Sequence, residues 1–348
     1  MSVANRSQTS RVCVAVDAMG GDFAPKEILA GVLDALAYLP VEVILVGPES
    51  QLVTALDGMN PAWRNLAVQI IHTDEVIAMD ESPITAMRKK KNASILLTAE
   101  LVAKARAQAM VAAGSTGAAM ASALFKIGRQ PGVDRPAIGV VLPTPKSPSL
   151  LLDAGANAEG TPEMLQQFAR MGSVFMQAVY SSTLPQARPR VGLMNIGEER
   201  GKGHALAHAT FEALQQDDSI YFTGNAEGRD LFSGNFDVVV CDGFTGNVAL
   251  KSAEGLAKTL GGFIKQELNR SLTSKLGAFF AQAALRRAKD KLDPEEFGGA
   301  LLLGINGVCV ISHGSSKARG IYNAIRVAKE AVEADMIGKT TQALSQAV

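Results

Sequence analysis

Lys202 stands between two glycines in Asn195-Ile196-Gly197-Glu198-Glu199-Arg200-Gly201-Lys202-Gly203, after an apolar run and ahead of a helix-period segment. An ammonium left accessible there can bind phosphate or steady an oxyanion, although an exposed surface lysine fits the spacing equally well. A second polar group follows another apolar run: in Asp242-Gly243-Phe244-Thr245-Gly246-Asn247, Asn247 offers an uncharged amide donor. Three further loops combine glycine with polar residues. In Asp17-Ala18-Met19-Gly20-Gly21-Asp22-Phe23-Ala24-Pro25 the glycines permit close backbone approach, and Pro25 suits the first turn of a helix whose free N–H groups could hold an anion. Asp17 and Asp22 would repel phosphate unless a basic group intervenes, and a tight turn with Asp22 as helix cap is an equally good reading. Gly114-Ser115-Thr116-Gly117 sets two hydroxyls at a helix start, which favours a phosphate cradle over a simple cap. His313-Gly314-Ser315-Ser316-Lys317 also precedes a helix and admits the same two readings.

Other chemistries lack carriers. The spacings G-x-x-x-x-G-K-[ST] and G-x-G-x-x-G are absent, which disfavours a P-loop and a dinucleotide fingerprint. No serine sits in a nucleophile elbow and no Cys/His pair occurs, so covalent catalysis has no obvious residue. His204 and His208 have the spacing of two metal ligands, but Ala205 stands where H-E-x-x-H requires Glu; no metal and no cofactor is expected. Cys13, Cys241 and Cys309 lie far apart in apolar runs and read as reduced, buried thiols.

Positioning these loops requires a scaffold. Short β-branched runs at 12–17, 41–46, 68–72, 110–113, 138–142, 150–153, 191–196, 220–223 and 238–241 predict strands buried on both faces, with another strand pair around Asn306-Gly307. Helix-period segments at 26–39, 94–108, 162–180 and 204–216 alternate with them. That alternation predicts a three-layer α/β/α fold with a mostly parallel sheet, whose ligands bind at the carboxyl ends of its strands. No linker divides the 348 residues, so 11–348 reads as a single domain after an unordered 1–10. The chain has 47% apolar and 20% charged residues, with 34 Lys and Arg against 34 Asp and Glu. This balance excludes disorder as the main state and argues against a nucleic-acid binder. The polar first ten residues give no secretory signal, which points to a cytoplasmic protein. The uncharged stretches 107–125 and 297–316 approach membrane-spanning length, but their glycines and polar residues suit a soluble core better.

Two charged features stand apart. Residues 255–292 read as a protruding α-hairpin with a turn at 271–274, and between Phe263 and Lys291 seven Lys or Arg face two Asp or Glu. Its apolar residues Leu276, Phe279 and Phe280 suit core or dimer contacts, or a membrane surface. The run Arg88-Lys89-Lys90-Lys91 reads as a solvated face or as a dock for an acidic partner.

Taken together, Val14-Ala15-Val16-Asp17-Ala18-Met19-Gly20-Gly21-Asp22, Asn195-Ile196-Gly197-Glu198-Glu199 with Lys202, Asp242-Gly243-Phe244-Thr245-Gly246-Asn247 and His313-Gly314-Ser315-Ser316 resemble the PlsX family of phosphate acyltransferases, in the family's order. The resemblance implies transfer of a long acyl chain from acyl carrier protein to inorganic phosphate, giving acyl phosphate for phospholipid synthesis. It further implies a homodimer, a fold similar to phosphotransacetylase and isocitrate dehydrogenase, and peripheral attachment to an anionic inner-membrane surface. A downstream glycerol-3-phosphate acyltransferase is the expected partner for the product. Lys202 and Asn247 match the family's proposed catalytic Lys and Asn. Asp17, Gly20, Gly21, Ser115, Thr116, Gly117, His313, Ser315 and Ser316 become candidates for binding phosphate or substrate. Arg88, Lys89, Lys90 and Lys91 become candidates for carrier docking. The rivals are a dehydrogenase of the related fold and a non-enzymatic acyl or lipid adaptor.

Overall fold

The computed structural model describes residues 11–78, 81–292 and 294–345, so the expected unordered segment 1–10 lies outside the described residues. Contacts gather the chain into two compact units, one reaching to Gly128 and resuming over Gly307–Glu333, the other holding Arg129–Asn306 and Ala334–Val348. The chain passes between them three times without a linker-like stretch, which is why composition alone reads 11–348 as one domain.

The first unit carries five parallel strands: β1 (Val12–Asp17), β2 (Val41–Gly47), β3 (Val68–His72), β4 (Ala109–Ala113) and β11 (Val308–Ser312), in the order β3-β2-β1-β4-β11. Every residue of β4 and β11 is buried, as uninterrupted apolar runs require when helices cover both faces. Its helices are α1 (Lys26–Tyr38), α2 (Glu49–Met59), α3 (Pro83–Lys89), α4 (Ser94–Ala103), α5 (Thr116–Lys126) and α10 (Ala318–Glu333). Helix α10 buries Ile321, Ala324, Ile325, Ala328 and Ala331, a stripe at three- and four-residue spacing, against β4, β11 and α1. Helix α4 packs on β1, β2 and β4.

The second unit is ordered β10-β5-β6-β9-β7-β8, from β5 (Ala137–Leu142), β6 (Ser149–Leu152), β7 (Arg190–Met194), β8 (Tyr221–Ala226), β9 (Val238–Val240) and β10 (Ala300–Leu303). Strands β6, β9, β7 and β8 are parallel, while β5 runs antiparallel to both neighbours. Helix α6 (Pro162–Val179) lays Leu165, Phe168, Met171 and Phe175 on β6 and β9, and is flanked by α7 (Ala205–Gln215) and α11 (Met336–Ser345). Mostly parallel sheet with flanking helices is the fold class that the strand-helix alternation predicts.

Two elements depart from expectation. The helix predicted over 94–108 stops at Ala103: Ala105 adopts φ 54°, and Gln108 joins β1 instead, donating its N–H to the Cys13 carbonyl and accepting the Cys13 N–H at 2.7 Å. The hairpin begins well before 255. One helix, α8 (Gly243–Leu268), already includes Asn247, so of the expected loop 242–247 only Asp242 precedes the helix; α8 runs on to the turn, and α9 (Leu272–Leu292) returns, with Ser271 Oγ accepting the Ser274 N–H at 3.0 Å. No helix among the described residues is long and apolar enough to cross a membrane.

Candidate functional site

In the first unit β1, β4 and β11 are adjacent and parallel, so their carboxyl ends share one edge and the loops after them meet. The Asp22 N–H donates to the Gly314 carbonyl at 2.8 Å. A Cβ on Gly20 would lie 1.9 Å from the Ala113 carbonyl oxygen, so the first loop sits directly on the second. Segments nearly three hundred residues apart thus bring together Asp17, Gly20, Gly21, Ser115, Thr116, Gly117, His313, Ser315 and Ser316. Ser115 caps α5 by accepting the Ala118 N–H at 3.3 Å, leaving Thr116 and Gly117 exposed at the helix head. The His313 ring Nδ1 lies 2.8 Å from Ser315 Oγ and accepts the Ser315 N–H, while the Ser316 N–H donates to the His313 carbonyl. Asp22 does not cap α1; Pro25 occupies the cap position, and no side chain fills that role. The Asp22 N–H bond to the third loop holds this residue three positions ahead of the cap position.

Asp17 is buried at the end of β1, and burial pushes its carboxyl up to about 6. The neighbouring Ser94 hydroxyl and the Met19 N–H, which donates to Oδ1 at 3.1 Å, oppose that rise. Ionising Asp17 is harder in the folded protein than in the unfolded chain. Its charge therefore costs nothing well below pH 4, costs more as pH rises from about 4 to 6, and costs a constant amount above. Asp17→Asn is expected to leave stability nearly unchanged at pH 4 and to raise it by about 2–3 kcal/mol at pH 7.5, read from urea unfolding at both values. An equal shift at the two pH values would show that Asp17 is not ionised against its burial.

In the second unit β6, β9 and β7 are adjacent and parallel, and their following loops gather at one edge. Lys202 is exposed, with its aliphatic stem against Gly197. The surrounding backbone is held by amides: Asn195 Nδ2 donates to the Lys202 carbonyl at 3.0 Å, Asn225 Nδ2 to the Glu199 carbonyl at 3.0 Å, and the Lys202 N–H to the Glu199 carbonyl. Gly203 takes φ +100°, and a Cβ there would fall 2.5 Å from Asn195 Oδ1, so glycine is required beside the lysine. His204 is the N-cap of α7, its Nδ1 accepting the Ala207 N–H at 3.3 Å; it precedes the helix that carries His208 rather than sharing a helical face with it. Among the described residues no group of three or more His, Cys, Asp or Glu could hold a metal.

Asp242 caps α8, accepting the Thr245 N–H at 2.9 Å and the Thr245 hydroxyl at 2.8 Å, and Asn247 follows, exposed, in the first turns. A Cβ on Gly160 would lie 3.5 Å from Asp242 Cβ and 3.8 Å from Leu206 Cδ2, so the loop after β6 touches the heads of both α7 and α8. The arrangement offers an accessible cation on the loop after β7 and a neutral amide donor at the head of α8. Cys241 and Cys309 are buried and Cys13 half-buried; burial pushes all three thiols up, Cys309 to about 12, which removes them as thiolate nucleophiles at neutral pH.

Sequence reasoning passes over Asp153 and Asn157 in the loop after β6, and over Asn195 and Asn225. The signal for the first pair is Asp153-Ala154-Gly155-Ala156-Asn157, polar residues around a glycine directly after an apolar strand. Of the basic run, Arg88, Lys89 and Lys91 are exposed. Lys90 is committed, donating to the Val76 carbonyl at 2.7 Å and pairing with Glu81 at 2.6 Å. A Cβ on Gly117 would meet Pro83 at 3.3 Å, so the basic helix α3 begins beside the head of α5.

A family model described as fatty acid synthesis protein matches residues 12–339. A phosphate acyltransferase of Nostoc punctiforme is 50% identical over 328 residues, covering 93% of this chain and 94% of the relative. One from Desulforamulus reducens is 51% identical over 331 residues, covering 95% and 97%. Among solved structures, a phosphotransacetylase from Streptococcus pyogenes aligns with a TM-score of 0.61 at 18% identity over 93% of this chain and 94% of that one. A 4-hydroxythreonine-4-phosphate dehydrogenase from Klebsiella pneumoniae aligns at 0.50 and 14% over 93% of this chain and 98% of that one. These structural likenesses speak to fold alone.

Proposed function

The chain belongs to the fatty acid synthesis protein family, whose curated relatives are named phosphate acyltransferases, and from that premise we propose that it moves a long-chain acyl group from acyl carrier protein to inorganic phosphate. It is an acyltransferase passing an acyl group to phosphate in fatty acid and phospholipid synthesis; the carrier-protein donor and the route of attack are our reading. An oxygen of hydrogen phosphate attacks the thioester carbonyl, the C–S bond breaks, and the carrier thiolate leaves as free thiol, the proton that the phosphate gives up balancing the one that the thiolate takes. Phosphate is already anionic and a thiolate leaves readily, so the enzyme need supply only position and oxyanion stabilisation, without a covalent acyl-enzyme.

The observation that carries this reading is the accessible Lys202, on the loop after β7, and the neutral amide Asn247, in the first turns of α8 after β9, at one sheet edge. A cation suits phosphate or a developing oxyanion, and an amide N–H suits the acyl oxygen. The joined loops of the first unit supply candidates for holding phosphate or substrate, among them Ser115, Thr116 and Gly117 at a helix head. The test is release of free thiol from palmitoyl carrier protein with and without phosphate, with chelator and without nucleotide. Release should require phosphate and ignore the chelator. A lipid adaptor would release no thiol, and loss of turnover with chelator would contradict metal-free transfer.

Carrier docking falls to Arg88, Lys89 and Lys91, beside the head of α5; Lys90 is already engaged. Reversing the three free charges to Glu should raise the KM for acyl carrier protein several-fold at low salt, with the defect shrinking as salt is added. An unchanged KM at low ionic strength would make this run a solvated face only. A homodimer, peripheral membrane attachment and hand-over of acyl phosphate to a glycerol-3-phosphate acyltransferase complete the proposal.

A further inference from the structure

We propose that Asp153 is a positioning residue for Asn247, a proposal that rests on the role given to Asn247 above. Asp153 follows β6 and is fully buried. Its Oδ1 accepts the N–H groups of Ile138 at 3.0 Å, Gly155 at 3.1 Å and Ala156 at 2.9 Å. Its Oδ2 accepts the Asn157 N–H at 2.8 Å and the Asn157 side-chain amide at 2.9 Å. All five donors are uncharged amides, and together they wrap residues 153–157 around one carboxylate. Only a carboxylate can serve them all, because each oxygen is purely an acceptor. An asparagine in either orientation would turn an NH₂ group toward at least two of the donors.

The wrapped loop holds the head of α8 at three points. The Asn157 carbonyl accepts the Gly243 N–H at 2.7 Å. The Asp153 carbonyl oxygen lies where a Cβ on Gly246 would come within 1.9 Å, and it also accepts the Cys241 thiol at 3.5 Å. Gly155, at φ +137°, lies beside the Asn247 side chain: a Cβ there would stand 3.5 Å from Asn247 Cβ, Cγ and Oδ1. The carboxylate thus fixes the wall against which the Asn247 amide rests and the helix turn from which it projects. Asp153 itself, enclosed by these donors, touches no substrate.

The test is a double-mutant cycle on the purified full-length protein, with kcat and KM for phosphate and palmitoyl carrier protein measured for Asp153→Asn, Asn247→Ala and the double variant. Asp153→Asn should lower kcat by about tenfold or more with both KM values within about twofold, since small displacements of an oriented group cost rate rather than binding. In the Asn247→Ala background the same substitution should change kcat by less than about twofold, because the group it positions is gone. Thermal unfolding identifies folded variants. If Asp153→Asn does not fold, Asn157→Ala takes its place; it removes one of the five donors, together with the bond from the same amide to the Pro136 carbonyl at 2.8 Å, and leaves the four backbone N–H bonds to Asp153, with a smaller loss that again vanishes without Asn247. An equal loss in both backgrounds, or a change confined to KM, would make Asp153 a structural staple and overturn the proposal. Wild-type turnover by Asn247→Ala alone would instead remove the underlying reading of Asn247, and the positioning role with it.

Discussion

Lys202→Ala is expected to lower the kcat of acyl transfer by about 10²- to 10³-fold, and Asn247→Ala to do the same, the loss typical of one missing donor to a developing oxyanion. Both side chains are exposed, so truncation opens no cavity and leaves no buried partner unsatisfied. The loop around Lys202 is held by Asn195, Asn225 and backbone bonds rather than by the ammonium group. The head of α8 is held by Asp242 and by the loop after β6. Circular dichroism and unfolding midpoints should therefore match wild type while turnover collapses. The split between kcat and the KM for phosphate separates the two roles: if Lys202 holds ground-state phosphate, its variant also raises that KM, whereas a purely transition-state donor lowers kcat alone. A folded Lys202→Ala enzyme with wild-type turnover would refute the role given to that residue.

The second large effect is expected at the hairpin. From Lys251 to Ala288 nearly every side chain is exposed, including Leu256, Leu260, Phe263, Ile264, Leu272, Leu276, Phe279 and Phe280. Lys265, Arg270, Lys275, Arg286 and Arg287 are exposed beside them. Apolar side chains that insert, with basic ones worth about 1 kcal/mol each near anionic lipid, make an interfacial element. The turn lies at Asn269–Ser271, and Phe279 and Phe280 sit about two helical turns beyond it rather than at the tip; Leu272, 85% exposed, is the apolar residue nearest the turn. Replacing Leu276, Phe279 and Phe280 with Ser should abolish sedimentation with anionic vesicles while thiol release in solution persists. If the triple variant lost its oligomeric state or unfolded instead, these residues would be interface or core.

The strands were the most legible part of the chain. A continuous apolar run places β1 to the residue, because a strand buried on both faces cannot alternate. β3 also falls at its expected bounds, but it ends the strand order and its residues are half-buried or exposed, so the expected burial on both faces does not hold there. The glycine loops read correctly as strand-to-helix junctions for the same reason, since the sheet fixes where each loop must start. What stayed hidden depends on tertiary partners. His204 has the spacing of a ligand but serves as a cap, which is visible only once the start of α7 is known. Lys90 reads like its neighbours until Glu81 and the Val76 carbonyl are seen to hold it. The hairpin reads as starting at 255 and residues 242–247 as a loop, so the continuity of α8 from Gly243 to the turn escapes a sequence reading. The loop of Asp153 shows in the sequence only as polar residues around a glycine; the role of Asp153 stays hidden because its five donors are four backbone N–H groups and one amide, chemistry that no side-chain motif records.

The most direct test of the account is a mass balance on a single reaction mixture. Wild-type enzyme, palmitoyl carrier protein and phosphate should yield palmitoyl phosphate and free carrier in equal amounts by mass spectrometry. Without phosphate there should be neither product nor any acyl adduct on the enzyme. An acylated enzyme accumulating in the absence of phosphate, or free carrier appearing with fatty acid instead of acyl phosphate, would contradict direct transfer at Lys202 and Asn247.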